Sequence, residues 1–138
     1  MSTHCLIVPG RYSQVRIVCE FVSLAAEQAG LSEHECYQCQ LAVDEACTNI
    51  INHAYQGEDR GVIDVTCEAD DGELTMTLRD QGVPFDPVSI PDPVPYHSID
   101  DVNVGGHGLS FMRRMMTSMH YTCDDTGNTL VMVKQRGR

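Results

Sequence analysis

Glu45 and Asn49 stand four residues apart in LAVDEACTNIINHAY, residues 41–55, so on a helix their side chains share one face, about 5–6 Å apart. Asn52 falls on the same stripe. A carboxylate that can take a proton, beside an amide oxygen that can bind Mg²⁺, is the pair that phosphoryl transfer needs: the nucleophile must be oriented and the phosphate charge offset. Further along, Asp80-Gln81-Gly82 ends an alternating run. An ionised Asp only accepts hydrogen bonds, which suits the exocyclic amine of adenine, and a glycine lets a base come close to the backbone. Gly105, Gly106 and Gly108 then precede a helical pattern beginning near Leu109. Glycines there expose successive N–H groups, and a helix N-terminus adds a field that favours phosphate. His107, between them, either touches phosphate or faces water. Taken singly, the three segments also read as a solvated helix face, an Asp-rich turn and a flexible loop; their order on one small chain gives them weight.

The elements that must position these residues follow from periodicity. Thr3 to Val8 reads as a short strand broken by Pro9-Gly10, and Val15, Val18, Cys19, Val22, Ala25, Ala26 and Ala29 predict a helix over Ser13 to Ala29. Ser32-Glu33-His34-Glu35 matches a capping box, in which the Ser side chain takes a free backbone N–H and the Glu reaches back. From there Cys36, Cys39, Val43, Cys47, Ile50, Ile51 and Ala54 carry one apolar stripe to about Tyr55, which leaves Glu45 and Asn49 on another side with no need to be core residues. Ile63 to Ala69 and Leu74 to Leu78 alternate on either side of Asp71-Gly72, predicting a hairpin. The stretch from Pro87 to Gly106, with four prolines, reads as a mobile loop or lid. Gly108 to Thr117 reads as a helix, with Met119 to Cys123 and Thr129 to Lys134 as a closing hairpin. The sum is an α+β two-layer sandwich: a mixed, mostly antiparallel sheet with three helices on one face. No G-x-G-x-x-G follows the first strand, so Rossmann and P-loop readings are poor.

Composition narrows the classes. A chain of 138 residues with 42% apolar and 21% charged residues reads as one soluble globular domain, residues 1–138. No apolar run approaches the roughly 20 residues that span a bilayer, and the N-terminus lacks a signal-peptide pattern; the expectation is a cytoplasmic protein without membrane attachment. A net charge of −11 argues against a nucleic-acid surface. Seven cysteines, an odd number scattered through apolar positions, favour reduced thiols, and Cys36-Tyr-Gln-Cys39 has no second pair at zinc-site spacing.

With these motifs in hand, the chain resembles the GHKL ATPases, the superfamily of gyrase B subunits and histidine-kinase ATP domains, and within it the compact bacterial anti-sigma-factor serine/threonine kinases. AVDEACTNIINHAY looks like the family's N box, and the D-x-G-x-P-F-D-P and G-G-x-G-L segments look like its G1 and G2 boxes. The resemblance implies the ATP-binding (Bergerat) fold, with ATP and Mg²⁺ as cofactors. It implies Glu45 as acid/base, Asn49 as Mg²⁺ ligand, Asp80 as acceptor for the adenine amine and Gly82 as the turn beneath the base. Gly105, Gly106, His107, Gly108 and Leu109 would form the phosphate loop, and Thr129, in GNTLV, would support the adenine end. His53 matches a histidine frequent in the N box, and Pro84 stands where many members carry a second glycine. The implied activity is ATP-dependent phosphorylation of a STAS anti-anti-sigma protein by an anti-sigma factor that otherwise holds a sigma factor, with homodimers frequent in the family. The alternative is a regulatory module that binds ATP and transfers little phosphate.

Overall fold

Strand pairing defines the architecture. The computed structural model describes residues 1–89 and 104–137, with residues 104–109 as backbone. Strands β1 (Ser2–Pro9), β2 (Val62–Asp70), β3 (Glu73–Asp80), β4 (Ser118–Asp124) and β5 (Gly127–Gln135) form one sheet in the order β1-β2-β3-β5-β4. Every neighbouring pair is antiparallel, so the sheet that the sequence left as mixed is wholly antiparallel among the described residues. β5 lies between β3 and β4, and its first residues pair with the last of β3, Asp80 opposite Asn128. One end of the sheet therefore collects the exit of β3, the turn before β5 and the end of β4.

Helices α1 (Tyr12–Gln28), α2 (Glu33–Asn49) and α3 (Val104–Met115) complete the α+β fold. The capping box at the start of α2 forms as read: Ser32 Oγ accepts from Glu35 N at 3.1 Å, and Glu35 Oε1 accepts from Ser32 N at 2.8 Å. A cap of this kind is worth about 1 kcal/mol. Each large apolar side chain fully buried is worth about 1.5–3 kcal/mol, and α2 with the turn that continues it buries Val43 and Ile51, in one core with α1's Val18 and Val22 and the sheet's Val65, Leu74, Met76 and Leu78. Packing of the apolar stripe, more than the cap, thus decides where α2 lies. All seven cysteines are free, and four of them are buried. Burial pushes the Cys39 and Cys67 thiols up to about 12, so they are neutral packing groups. Among the described residues, no helix is long and apolar enough to cross a membrane.

Two boundaries differ from expectation. The long helix does not run regularly to Tyr55: α2 ends at Asn49 and continues as a π-helical turn over Ile50–Ala54, with Tyr55 N bonded to Ile50 O at 2.8 Å. The wider turn carries Asn52 off the stripe it would share with Glu45 and Asn49. Asn52 is exposed and its amide oxygen accepts from the Tyr12 hydroxyl. At the other end of the chain α3 begins at Val104, four residues earlier than read, so Gly105 to Gly108 lie inside the helix and not in a loop before it. Glycine's low helix propensity suggested a loop; an opening turn tolerates it, because the first N–H groups of a helix have no partner within the helix in any case. Of the stretch read as a lid, residues 90–103 lie outside the described residues.

The π-turn ends by burying Tyr55, whose hydroxyl donates to Val62 O at 2.6 Å and accepts from Gln81 N at 3.0 Å. One phenol thus joins the start of β2 to the residue following β3. Tyr55→Phe leaves both backbone groups without that partner, and the expected loss is about 1–3 kcal/mol, read as a lower urea midpoint at unchanged slope.

Candidate functional site at the end of β3

The site is built outward from the turn after β3. Asp80 is 4% exposed, and its Oδ1 accepts from Gly82 N at 2.8 Å and from Asn128 Nδ2 at 2.8 Å. Its other oxygen has no protein partner among the described residues. Burial raises the Asp80 pKa, opposed by the hydrogen bonds from Asn128 and Gly82. Gly82 is fixed by packing: a Cβ there would sit 2.4 Å from the backbone C and O of Ala54, and Val83 N bonds Ala54 O at 2.8 Å. The turn therefore presses on the last residue of the π-turn. Gly127 serves the same junction from the other side, with φ +133° and a Cβ position 2.1 Å from Asp80 O. Pro84 follows without disturbing these bonds.

The residue opposite Asp80 is Asn128, not Thr129. Side chains alternate along a strand, and β5 buries Asn128, Leu130 and Met132 while Thr129 is only partly buried, opposite Arg79 on the outer face. The role that the resemblance placed on Thr129 thus lacks its geometry, and Asn128, 5% exposed, holds the position. Its parity with Leu130 and Met132 was the signal available in the sequence. Asn128 Nδ2 also reaches Gly82 O at 3.2 Å and Val83 O at 3.0 Å, and its Oδ1 accepts from Tyr121 OH at 2.5 Å. Nothing in a motif marked Tyr121.

A narrow, mostly apolar pocket opens here, lined by Asn49, Ile50, Ala54, Asp80, Phe85 and Asn128 among others. Asn49 and Asp80, far apart in sequence, thus meet in one concavity. Asn49 is 6% exposed, contrary to the expectation that it need not be a core residue. Its Nδ2 makes a weak 3.9 Å contact to Met112 Sδ on α3, while its amide oxygen has no protein partner among the described residues. A buried oxygen without a partner is costly, and an amide oxygen is a hard ligand of the type Mg²⁺ takes; the residue fits that cation. The His53 ring stacks on Phe85, one of the lining residues, with centroids 4.5 Å apart and planes 16° from parallel. Arg113 Nη1 donates to Val88 O at 3.2 Å, tying the segment beyond Phe85 to α3.

Glu45 lies on the same helix. It is half-buried one helical turn before Asn49 and lines a separate groove with Leu41, Asp44, Phe111 and Met115. Its pKa is raised, by burial first and by the neighbouring Asp44 charge second. Gly105, Gly106, His107, Gly108 and Leu109 are placed as the opening of α3, whose later residue Met112 touches Asn49.

Comparison with known proteins bears on this arrangement. Residues 8–134 match the family model described as a histidine kinase-like ATPase domain. The chain is similar to the serine-protein kinase RsbW of Bacillus velezensis, 30% identical over 131 residues that cover 92% of this chain and 81% of that one. It is also similar to the serine/threonine-protein kinase BtrW of Bordetella bronchiseptica, 34% identical over 92 residues, 67% of this chain and 65% of that one. Among solved structures, its fold matches part of the RsbU and RsbW domains of Rv1364c from Mycobacterium tuberculosis with a TM-score of 0.66 at 12% identity, covering 98% of this chain and 32% of that chain.

Asp80 gives this end of the sheet a pH dependence. Because its folded pKa is raised above the ordinary 3.8, its favourable contribution is complete below that value and is lost as pH rises through the folded value. An Asn can accept the same two hydrogen bonds without the charge. Asp80→Asn is therefore expected to melt at or above the wild-type temperature at neutral pH, with the difference closing below the ordinary carboxylate range, as read by thermal denaturation across pH.

Proposed function

We propose that this chain, which belongs to the histidine kinase-like ATPase family, is an ATP-dependent serine/threonine protein kinase that acts as an anti-sigma factor, with residues 1–138 as one unit. Its substrate is a STAS anti-anti-sigma protein; phosphorylation releases that antagonist, and the kinase then holds its client, a sigma factor. The observation that carries the reading is the pairing, in one pocket, of a buried carboxylate oxygen on Asp80 and a buried amide oxygen on Asn49, neither with a protein partner among the described residues. The first suits an amine donor on a purine; the second suits a divalent cation on phosphate. The names of the similar kinases support the same assignment.

The residues divide the work by position. Asp80 accepts from the adenine amine, with Gly82 holding the turn against Ala54. Asn49 Oδ1 would hold Mg²⁺, and the first turn of α3, with Gly105 and Gly106, would present its free backbone N–H groups to the phosphates, His107, Gly108 and Leu109 following in the helix. Phosphate oxygens and water are further hard oxygen ligands of the type Mg²⁺ takes. The cation, when bound, offsets charge on the transferring phosphoryl group. Glu45 lies outside the nucleotide pocket, on the groove of Leu41, Phe111 and Met115, where Phe111 is 56% exposed. A protein hydroxyl can arrive from that side. As the serine oxygen bonds to the γ-phosphorus and the β–γ bridging bond breaks, Glu45 takes the hydroxyl proton and ADP leaves.

Incubation with radiolabelled ATP and a candidate STAS partner tests the assignment. Label on a partner serine that falls about 100-fold or more in Glu45→Ala, with ADP affinity kept, is the expected result; partner binding in ATP without label would identify a binding module instead. Glu45 must be ionised to accept a proton, and its pKa lies above the ordinary 4.5. The acid limb of the rate should therefore have its midpoint above 4.5. Asp44→Asn removes the smaller cause and should lower that midpoint partway, since burial remains.

A further inference from the structure

The family resemblance gave no role to Tyr121 or Asn128, yet the turn bearing Asp80 is held by them. We infer that Tyr121 and Asn128 are a positioning pair that fixes the orientation of the Asp80 carboxylate and so sets how strongly the pocket prefers a purine bearing a 6-amino group. The inference rests on the nucleotide reading of the pocket and extends it to two residues that touch Asp80 directly or through each other.

Hydrogen-bond accounting gives each atom its direction. The Asn128 amide has two N–H groups, and three acceptors surround its nitrogen: Asp80 Oδ1 at 2.8 Å, Val83 O at 3.0 Å and Gly82 O at 3.2 Å. Both donors are therefore committed to the turn. A flipped amide would turn its oxygen toward a carboxylate and two carbonyls, four acceptors facing one another with no proton between them. Shape alone does not prevent that flip, because the two ends of an amide are nearly the same size. Tyr121 prevents it. Phe85 N donates to the Tyr121 oxygen at 3.2 Å, so the phenol's single proton is free to point at Asn128 Oδ1, 2.5 Å away. Burial first, and Cys123 beside it, push the Tyr121 hydroxyl up to about 12, so it remains a donor at neutral pH.

The consequence falls on Asp80. Its Oδ1 is occupied by Asn128 and Gly82, which leaves the opposite oxygen, without a protein partner among the described residues, for a ligand. A single fixed acceptor matches one N–H of an exocyclic amine. A base with a carbonyl there would place two acceptors together, and a base with hydrogen there would leave the buried oxygen without a partner, which is the arrangement that discriminates most strongly. Both members of the pair come from β4 and β5, so the selectivity of a β3 residue is set from the two strands beyond it.

The test uses the intact chain with Mg²⁺ and two nucleotides, ATP and the triphosphate of purine riboside, which lacks only the 6-amino group. Calorimetry gives the ratio of the two affinities. In Tyr121→Phe the preference for ATP is expected to fall about tenfold, with affinity for the deamino analogue kept within about twofold and the melting temperature reported alongside. Asn128→Ala should reduce the ratio in the same sense, and Tyr121→Phe added to Asp80→Asn should not change it further. A wild-type preference for ATP that Tyr121→Phe leaves intact, or equal weakening of both nucleotides, overturns the inference alone. Failure of the wild-type chain to bind either nucleotide overturns the nucleotide reading, and this inference with it.

Discussion

The contact between Gly82 and the backbone of Ala54 is the constraint on which the pocket depends. It joins the exit of β3 to the last residue of the π-turn at a separation that no side chain larger than hydrogen permits. Because the turn sits there, Asp80 is directed inward, Asn128 finds three acceptors on one side, and Val83 N reaches Ala54 O. Gly127 lets β5 begin against the carbonyl of Asp80, and Tyr55 ties the following residue, Gln81, back to β2. Four segments, the exit of β3, the π-turn, β5 and β2, thus converge, through backbone contacts at Gly82 and Gly127 and side-chain hydrogen bonds of Asn128 and Tyr55.

The same geometry separates two kinds of chemistry. The pocket that contains Asp80 and Asn49 is narrow, largely apolar and bounded by buried groups, whereas Glu45 opens on an exposed groove edged by Phe111 and Leu41. One helical turn of α2 divides them. A small ligand and a macromolecule can therefore meet neighbouring concavities of the same helix, as the kinase activity proposed above requires. The raised pKa of Glu45 has its origin in the same position, half out of water and beside the charge of Asp44.

What could be read from the sequence was what local pattern specifies. The capping box at Ser32, the apolar stripe of α2, the alternation of β2 and β3 and the hairpin at Asp71-Gly72 depend on residues within a few positions of one another, and each stands where periodicity placed it. Asn49 and Asp80 were singled out by type and spacing, and they share a pocket. The misreadings differ in cause. Thr129 was given its role by resemblance alone, although alternation against the apolar Leu130 and Met132 turns it outward. The regular helix to Tyr55 missed the extra residue that the π-turn absorbs, because no propensity marks it. Tyr55 and Tyr121 act on groups 26 and 36 residues away, and their partners emerge only when the sheet order brings β5 between β3 and β4.

The π-turn over Ile50–Ala54 also bears on how the chain tolerates changes of length. A π-turn is an α-helix carrying one residue more than its hydrogen bonding needs. Removing a single residue from this stretch would restore regular α-helix and leave everything up to Asn49 where it stands. All that follows would rotate by about 100° and shift by about 1.5 Å along the axis. Tyr55 would swing away from Val62 and Gln81, and Ala54 would no longer meet Gly82. The surplus residue is a phase adjuster between a helix that carries the polar pair and a sheet that carries the acceptor. An indel here acts at a distance, on residues it does not touch.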